Sequence, residues 1–211
     1  MVVKKCFVVF AFLFFLISVN VAFADFSKPE TEVSTLYRYD PNNTDNNTAI
    51  AVVSLSSDYL DSEGKPLCKL AAFSETRRNI DRNDTSRQEL GFELGKDVVE
   101  WFYIGASLKY VWLHENFEYE AIFQRSQGME IEPYFVLSNQ LFAYKDFKVD
   151  WFIEDAATYD LRSGYIKRNE AAFGLVFPFS EHAATTVSWR HIDRIHYYDS
   201  DLFDFGFIFN F

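Results

Sequence analysis

The stretch DLFDFGFIFNF, residues 201–211, carries a phenylalanine at every second position: Phe203, Phe205, Phe207, Phe209 and Phe211. Between them stand Asp204, Gly206, Ile208 and Asn210. A two-residue period is that of a β-strand, whose successive side chains point to opposite faces. A strand in a soluble sheet buries one face and wets the other, so the stripe alone leaves two surroundings open for its rings, a protein core or a lipid bilayer. The rest of the chain decides between them.

The first residues, MVVKKCFVVFAFLFFLISVNVAFA, hold Lys4 and Lys5, an apolar run from Cys6 to Val19 broken only by Ser18, and Ala22-Phe23-Ala24. A basic start, an apolar middle and an A-x-A site make a secretory signal peptide with cleavage near Ala24, and the run is short for a helical span. Residues 25–48 follow as a polar lead-in containing Pro29 and Pro41, with one short strand over 33–39 as its only regular candidate. Without Lys4 and Lys5 the chain keeps 18 basic residues against 31 acidic ones, a net of −13, which argues against nucleic acid as a partner. Cys68 is then the single cysteine, and no disulfide within the chain can form. Aromatic residues make up 19% of the sequence, yet no run of 18 apolar residues occurs beyond residue 24, so helical membrane spans are excluded. An exported, aromatic-rich chain of this kind is either a periplasmic β-sandwich or a membrane β-barrel.

From Ile50 onward the apolar pattern alternates. Leu90, Phe92 and Leu94 oppose Glu89, Gly91 and Glu93, and Phe102, Ile104, Ala106 and Leu108 oppose Tyr103, Gly105, Ser107 and Lys109. Similar stretches recur near 51–60, 130–141, 148–155, 170–177, 183–190 and 201–211, which predicts eight strands. Ten result if 33–39 and 67–75 pair as an extra hairpin. The links at 96–100, 145–147 and 180–182 are short, and those at 61–85, 114–127 and 195–200 are longer and more polar, with 160–165 between the two classes. Short and long links alternate, as they do between the two rims of an up-and-down transmembrane barrel. The expected fold is therefore an all-β, antiparallel, up-and-down transmembrane β-barrel over residues 49–211.

One face of each predicted strand is apolar and almost free of charge, which suits lipid, because a charge at mid-bilayer costs roughly 2–4 kcal/mol. The opposite face holds Glu93, Lys109, Glu132, Asp150, Glu154, Glu170, Arg190 and Asp204 among small residues. These eight make the expected polar network of the lumen. Acids outnumber Lys109 and Arg190, so an acidic lumen is expected. Trp101, Trp112, Tyr144, Trp151 and Trp189 stand near strand ends, where interfacial girdles sit.

With a signal peptide to Ala24 and the ending FDFGFIFNF, the chain resembles the small outer-membrane β-barrel proteins of Gram-negative bacteria. The resemblance implies that Phe203, Phe205, Phe207, Phe209 and Phe211 form the signal read by the barrel-assembly machinery. It further implies residence in the bacterial outer membrane among its lipids and lipopolysaccharide.

The stretch SWRHIDRIHYYDSD offers Ser188, His191, Asp193, His196, Asp199 and Ser200 to a lipid-modifying enzyme. Nucleophilic catalysis needs hydroxyl and base within hydrogen-bond reach. Ser188 and His191 are three apart, and on a regular strand they face opposite sides. The His and Asp residues show no fixed metal-ligand spacing, and no phosphate loop, CxxC or HExxH is present. No catalytic residue, metal site or cofactor is therefore assigned. Residues 77–87, RRNIDRNDTSR, read as a solvated outer loop or a contact for lipopolysaccharide phosphates. The expected role is structural or surface-interacting, for a monomer with a lumen filled by its own side chains. A lipid-modifying enzyme and a narrow pore or small-ligand carrier are the rival readings.

Overall fold

Alternation turns into strand from Glu30 to Asn210. The computed structural model describes residues 26–42, 47–80, 86–113, 128–145, 147–194 and 199–211. Its ten strands are β1 (Glu30–Tyr39), β2 (Thr48–Leu60), β3 (Pro66–Asn79), β4 (Ser86–Val99), β5 (Phe102–Leu113), β6 (Gly128–Tyr144), β7 (Phe147–Asp160), β8 (Tyr165–Ser180), β9 (Ala183–Arg194) and β10 (Ser200–Asn210). Each pairs antiparallel with its sequence neighbours, and β1 pairs with β10, so the sheet closes on itself and has no free edge. Closure is sealed at the chain ends by two backbone hydrogen bonds between Thr31 and Phe211.

The barrel has ten strands, the larger of the two counts expected, with 33–39 and 67–75 falling in β1 and β3, which flank β2 instead of pairing with each other. The two additions are β1, inside the stretch expected as a lead-in, and β3, inside the 61–85 link expected as one outer loop. The barrel wall thus begins at Glu30 instead of residue 49. With β3 in place, 61–85 becomes a tight turn at 61–65 and a connection at 80–85. The rim holding both chain ends then carries the short turns 61–65, 100–101, 145–146 and 181–182. The other rim carries 40–47, 80–85, 114–127, 161–164 and 195–199. Residues 1–24, the expected signal peptide, lie outside the described residues, as do 81–85; the two ends of the 77–87 stretch, expected as an outer loop, are strand, with Arg77 and Arg87 turned into the lumen.

The register decides what faces where, because directly opposed residues in an antiparallel pair share a face. Phe203, Phe205, Phe207 and Phe209 oppose Tyr39, Tyr37, Thr35 and Val33 of β1, and all point outward. Phe205 is 48% exposed on that wall, and Phe92, at the centre of β4, is 68% exposed. Their in-between neighbours face the lumen: Asp204 opposes Arg38, and Gly206 opposes Leu36. Trp101 and Tyr144 are exposed beside the short turns.

The wall is not free of charge. Asp155, Asp193 and Asp201 point outward, in phase with Ile153, Trp189 and Phe203. All three lie in the half of the wall toward the long connections. Two have polar neighbours: Asn169 Nδ2 donates to Asp155 at 3.3 Å, and His191 Nδ1 lies 3.0 Å from Asp201.

Candidate functional site

The lumen holds the molecule's charge. Asp204 is the central acid, with its side chain wholly buried. Arg38 of β1 grips it with two donors, Nε at 2.8 Å and Nη2 at 3.0 Å, and Arg190 of β9 adds Nε at 3.0 Å. These three are neighbours because β1, β10 and β9 are adjacent: Arg38 directly opposes Asp204, and Arg190 reaches it diagonally from the position opposite Leu202. Arg190 also donates to Glu170 at 3.1 Å and lies 3.6 Å from Glu154. Glu170 meets Arg168 Nε at 2.6 Å.

The chain of pairs continues around the barrel. Glu132 accepts from Lys109 at 2.9 Å and from the Thr158 hydroxyl, and Lys109 reaches Glu89 at 3.2 Å. Glu89 pairs with Arg87 at 2.5 Å, and Arg87 reaches Glu130 at 3.2 Å. Glu130 accepts from Lys167 at 2.6 Å. Arg77 pairs with Glu75 and lies 3.8 Å from Glu89. Cations and acids thus form a belt at one level of the lumen, drawn from every strand except β2. Glu130 and Thr158 of this belt are buried, at 1% and 0% exposure.

Of the eight lumen residues expected from sequence, Lys109, Glu132, Glu154, Glu170, Arg190 and Asp204 meet in this belt. Glu93 stands apart, nearer the terminal rim. Tyr103 donates to it at 3.1 Å, and Tyr134 donates as well. Asp150 lies near the terminal end of β7, and among the described residues no ion pair reaches it. The residues missed are Arg38, Glu75, Arg77, Arg87, Glu89, Glu130, Lys167 and Arg168. Their addition changes the expected charge: the belt residues named here include as many cations as acids. Burial requires this, since an unpaired charge in a low-dielectric interior is far costlier than a matched pair. Arg38 and Arg77 lie on β1 and β3, the strands that the alternation did not reveal.

The glycines place the aromatic side chains of the lumen. Tyr134 lies directly opposite Gly105, and Phe152 opposite Gly174. A Cβ at Gly105 would meet the Tyr134 ring at 2.7 Å. Bare glycine backbone lets the ring lie flat on the neighbouring strand, a known device of curved sheets. In the case of Tyr134 it also aims the hydroxyl at Glu93.

Beside the belt, and bordered by several of its residues, a cavity of about 420 Å³ remains. Arg38, Arg77, Arg168 and Arg190 line its polar side with Glu75, Glu132, Glu154, Glu170 and Ser188, and Phe152, Val52, Val176 and Ile208 line its apolar side.

The candidate hydrolytic group is not assembled. Ser188 opposes Asp204 and Gly174 inside the lumen, whereas His191 opposes Asp201 on the outer wall. Ser200 Oγ accepts from Arg194 at 2.7 Å. His196 lies outside the described residues.

No protein-family model matches the chain, and no curated protein matches it either. Solved structures similar in shape include the KdgM porin, with 7% identity and a TM-score of 0.45 over 85% of this chain and 99% of that one. An outer-membrane channel of Pseudomonas putida F1 gives 8% identity and a TM-score of 0.44, covering 90% and 98%. The NanC porin gives 13% and 0.40, covering 85% and 98%. The architecture of this chain rests on its own geometry: it is a closed, antiparallel, ten-stranded β-barrel with an apolar outer wall and an ion-paired lumen.

Proposed function

We propose that the protein is an integral β-barrel of the bacterial outer membrane, delivered there by the signal peptide ending near Ala24. Its lumen is sealed, and its role is structural or surface-interacting. The observation that carries this reading is the buried belt of ion pairs. A diffusion channel needs a continuous water path, and the burial of Asp204, Glu130 and Thr158 among their partners supports the absence of one. The apolar wall supports insertion in lipid, because a soluble barrel would gain nothing from Phe92 and Phe205 left bare. In this reading the wall contacts outer-membrane lipid and lipopolysaccharide, and the Phe203–Phe211 stripe is presented to the barrel-assembly machinery before the strand is buried in the wall.

Current through a planar lipid bilayer tests the seal. The purified barrel is expected to give no steady unitary steps. Steady steps from the unmodified protein would overturn the sealed lumen and favour a narrow pore, for which the cavity beside the belt is the supporting observation.

A further inference from the structure

The cavity lies beside the belt. Leu202, Ile192 and Val111 are buried on the inner face toward the long connections. Toward the terminal rim, Glu32 and Asn210 are exposed, and the space opens. Its polar groups are not equally committed. The guanidinium of Arg38 is held twice by Asp204, Arg168 is held by Glu170, and Arg190 is shared between Asp204 and Glu170. The acceptors are less occupied. Glu154 is 29% exposed, and its one ionic neighbour, Arg190, stays at 3.6 Å, beyond hydrogen-bond distance. Ser188 is 6% exposed, lines the cavity, and has no protein partner for its hydroxyl among the described residues.

The neighbouring small residues make this arrangement. Glu154 opposes Ala172, which opposes Arg190, and Phe152 opposes Gly174, which opposes Ser188. The Phe152 ring and the Ser188 Cβ fill the space over Gly174, and the part of the cavity between β7 and β9 forms a bay. Glu154 and Ser188 border it, and Phe152 and Val176 floor it. A volume of about 420 Å³ falls within the range of small-molecule sites. The free acceptors call for a donor, the carboxylate for a positive one, and the ring and aliphatic floor for a carbon body and cation–π contact.

We propose that this bay is a binding site for a small organic cation with a short apolar body, entered from the rim where both chain ends lie. The proposal rests on the sealed-barrel reading only in that the bay is a dead end and not part of a conduit.

Titration calorimetry of the folded barrel in detergent tests it, with butane-1,4-diamine as probe and butane-1,4-diol as its neutral counterpart. The diamine is expected to bind saturably, and the diol about ten-fold more weakly, since it forgoes a charged hydrogen bond. Glu154→Gln is expected to lower diamine affinity about ten-fold and Ser188→Val by about three-fold, on the same grounds. Glu63→Gln, on an exposed turn, is expected to leave it unchanged. Each variant is first checked for folded-barrel mobility on an unboiled gel. Absent diamine binding, equal binding of the diol, or undiminished affinity in folded Glu154→Gln would overturn the site. A steady current from the unmodified protein together with selective diamine binding would overturn the seal while supporting the site.

Discussion

At the residue scale, Asp204 decides most. It neutralises Arg38 and Arg190 at once, inside a wall of protein. Removing one partner of a buried pair leaves an uncompensated charge, at a cost of about 3–5 kcal/mol. Asp204→Ala should therefore lower the unfolding free energy of the refolded barrel, read from its urea transition, by an amount in that range. The neutral swap Arg38→Met with Asp204→Leu should lose much less, because both buried charges go together and only Arg190 must find another acid. Gly105 is the second test. A methyl there meets the Tyr134 ring at 2.7 Å, so Gly105→Ala must turn the ring aside and break the Tyr134–Glu93 contact. The expected loss is about 1–3 kcal/mol, typical of overpacking, read from the same urea transition. An unchanged midpoint would contradict the close approach.

At the element scale, legibility follows contrast between faces. In β5 and β10 the outward face is apolar and the inward one small or charged, and the alternation shows at once. In β3 the contrast fails. Its outward set, Cys68, Leu70, Ala72, Ser74, Thr76 and Arg78, is hardly more apolar than its inward set, which includes Phe73. Phe73 turns inward because Gly91 on β4 leaves room for its ring, so the reason for its direction lies on another strand. In β1 the outward row, Val33, Thr35, Tyr37 and Tyr39, is thin, and a nearby proline and polar neighbours mask it. Missing β1 and β3 meant missing Arg38 and Arg77, which is why the lumen read as acidic. Individual acids such as Asp204 and Glu170 could be placed by phase alone, but which cation each would meet depends on closure of the barrel.

Two tests belong to this scale. Phe92 lies at the centre of β4 and faces out, so Phe92→Arg should cost about 2–4 kcal/mol in lipid vesicles. In a wall facing water the same change would cost almost nothing. The β2–β3 turn supplies a pH test. Asp61 accepts backbone hydrogen bonds from Lys65 at 2.9 Å and Glu63 at 2.8 Å, and these, the Lys65 one foremost, hold its carboxyl below the ordinary carboxylate value. A depressed value in the folded state means the turn's support is full above the ordinary carboxylate pKa and is lost as pH falls through the lowered one. The amide signals of Glu63 and Lys65 should shift together in that acid window and stay flat above it. A titration at or above the ordinary carboxylate value would contradict the capped turn.

At the scale of the whole molecule, the polarity is inverted relative to a soluble protein. Charge is gathered inside and matched pair by pair, and the rings are outside. That inversion makes sense only where the surroundings are less polar than the interior. The lumen of the ten-stranded wall is largely taken up by a belt of arginine and glutamate, with a cavity of about 420 Å³ beside it. The outward acids Asp155, Asp193 and Asp201 mark the half of the wall toward the long connections, where the apolar band gives way to polar headgroups.

Gel mobility before and after boiling, on protein extracted from outer-membrane fractions, tests the membrane barrel most directly. The account predicts that the unboiled protein runs as a compact species, that boiling shifts it, and that deleting Phe211 reduces the amount reaching the membrane in the shifting form. A protein recovered in the soluble periplasmic fraction, with the same mobility boiled and unboiled, would contradict it.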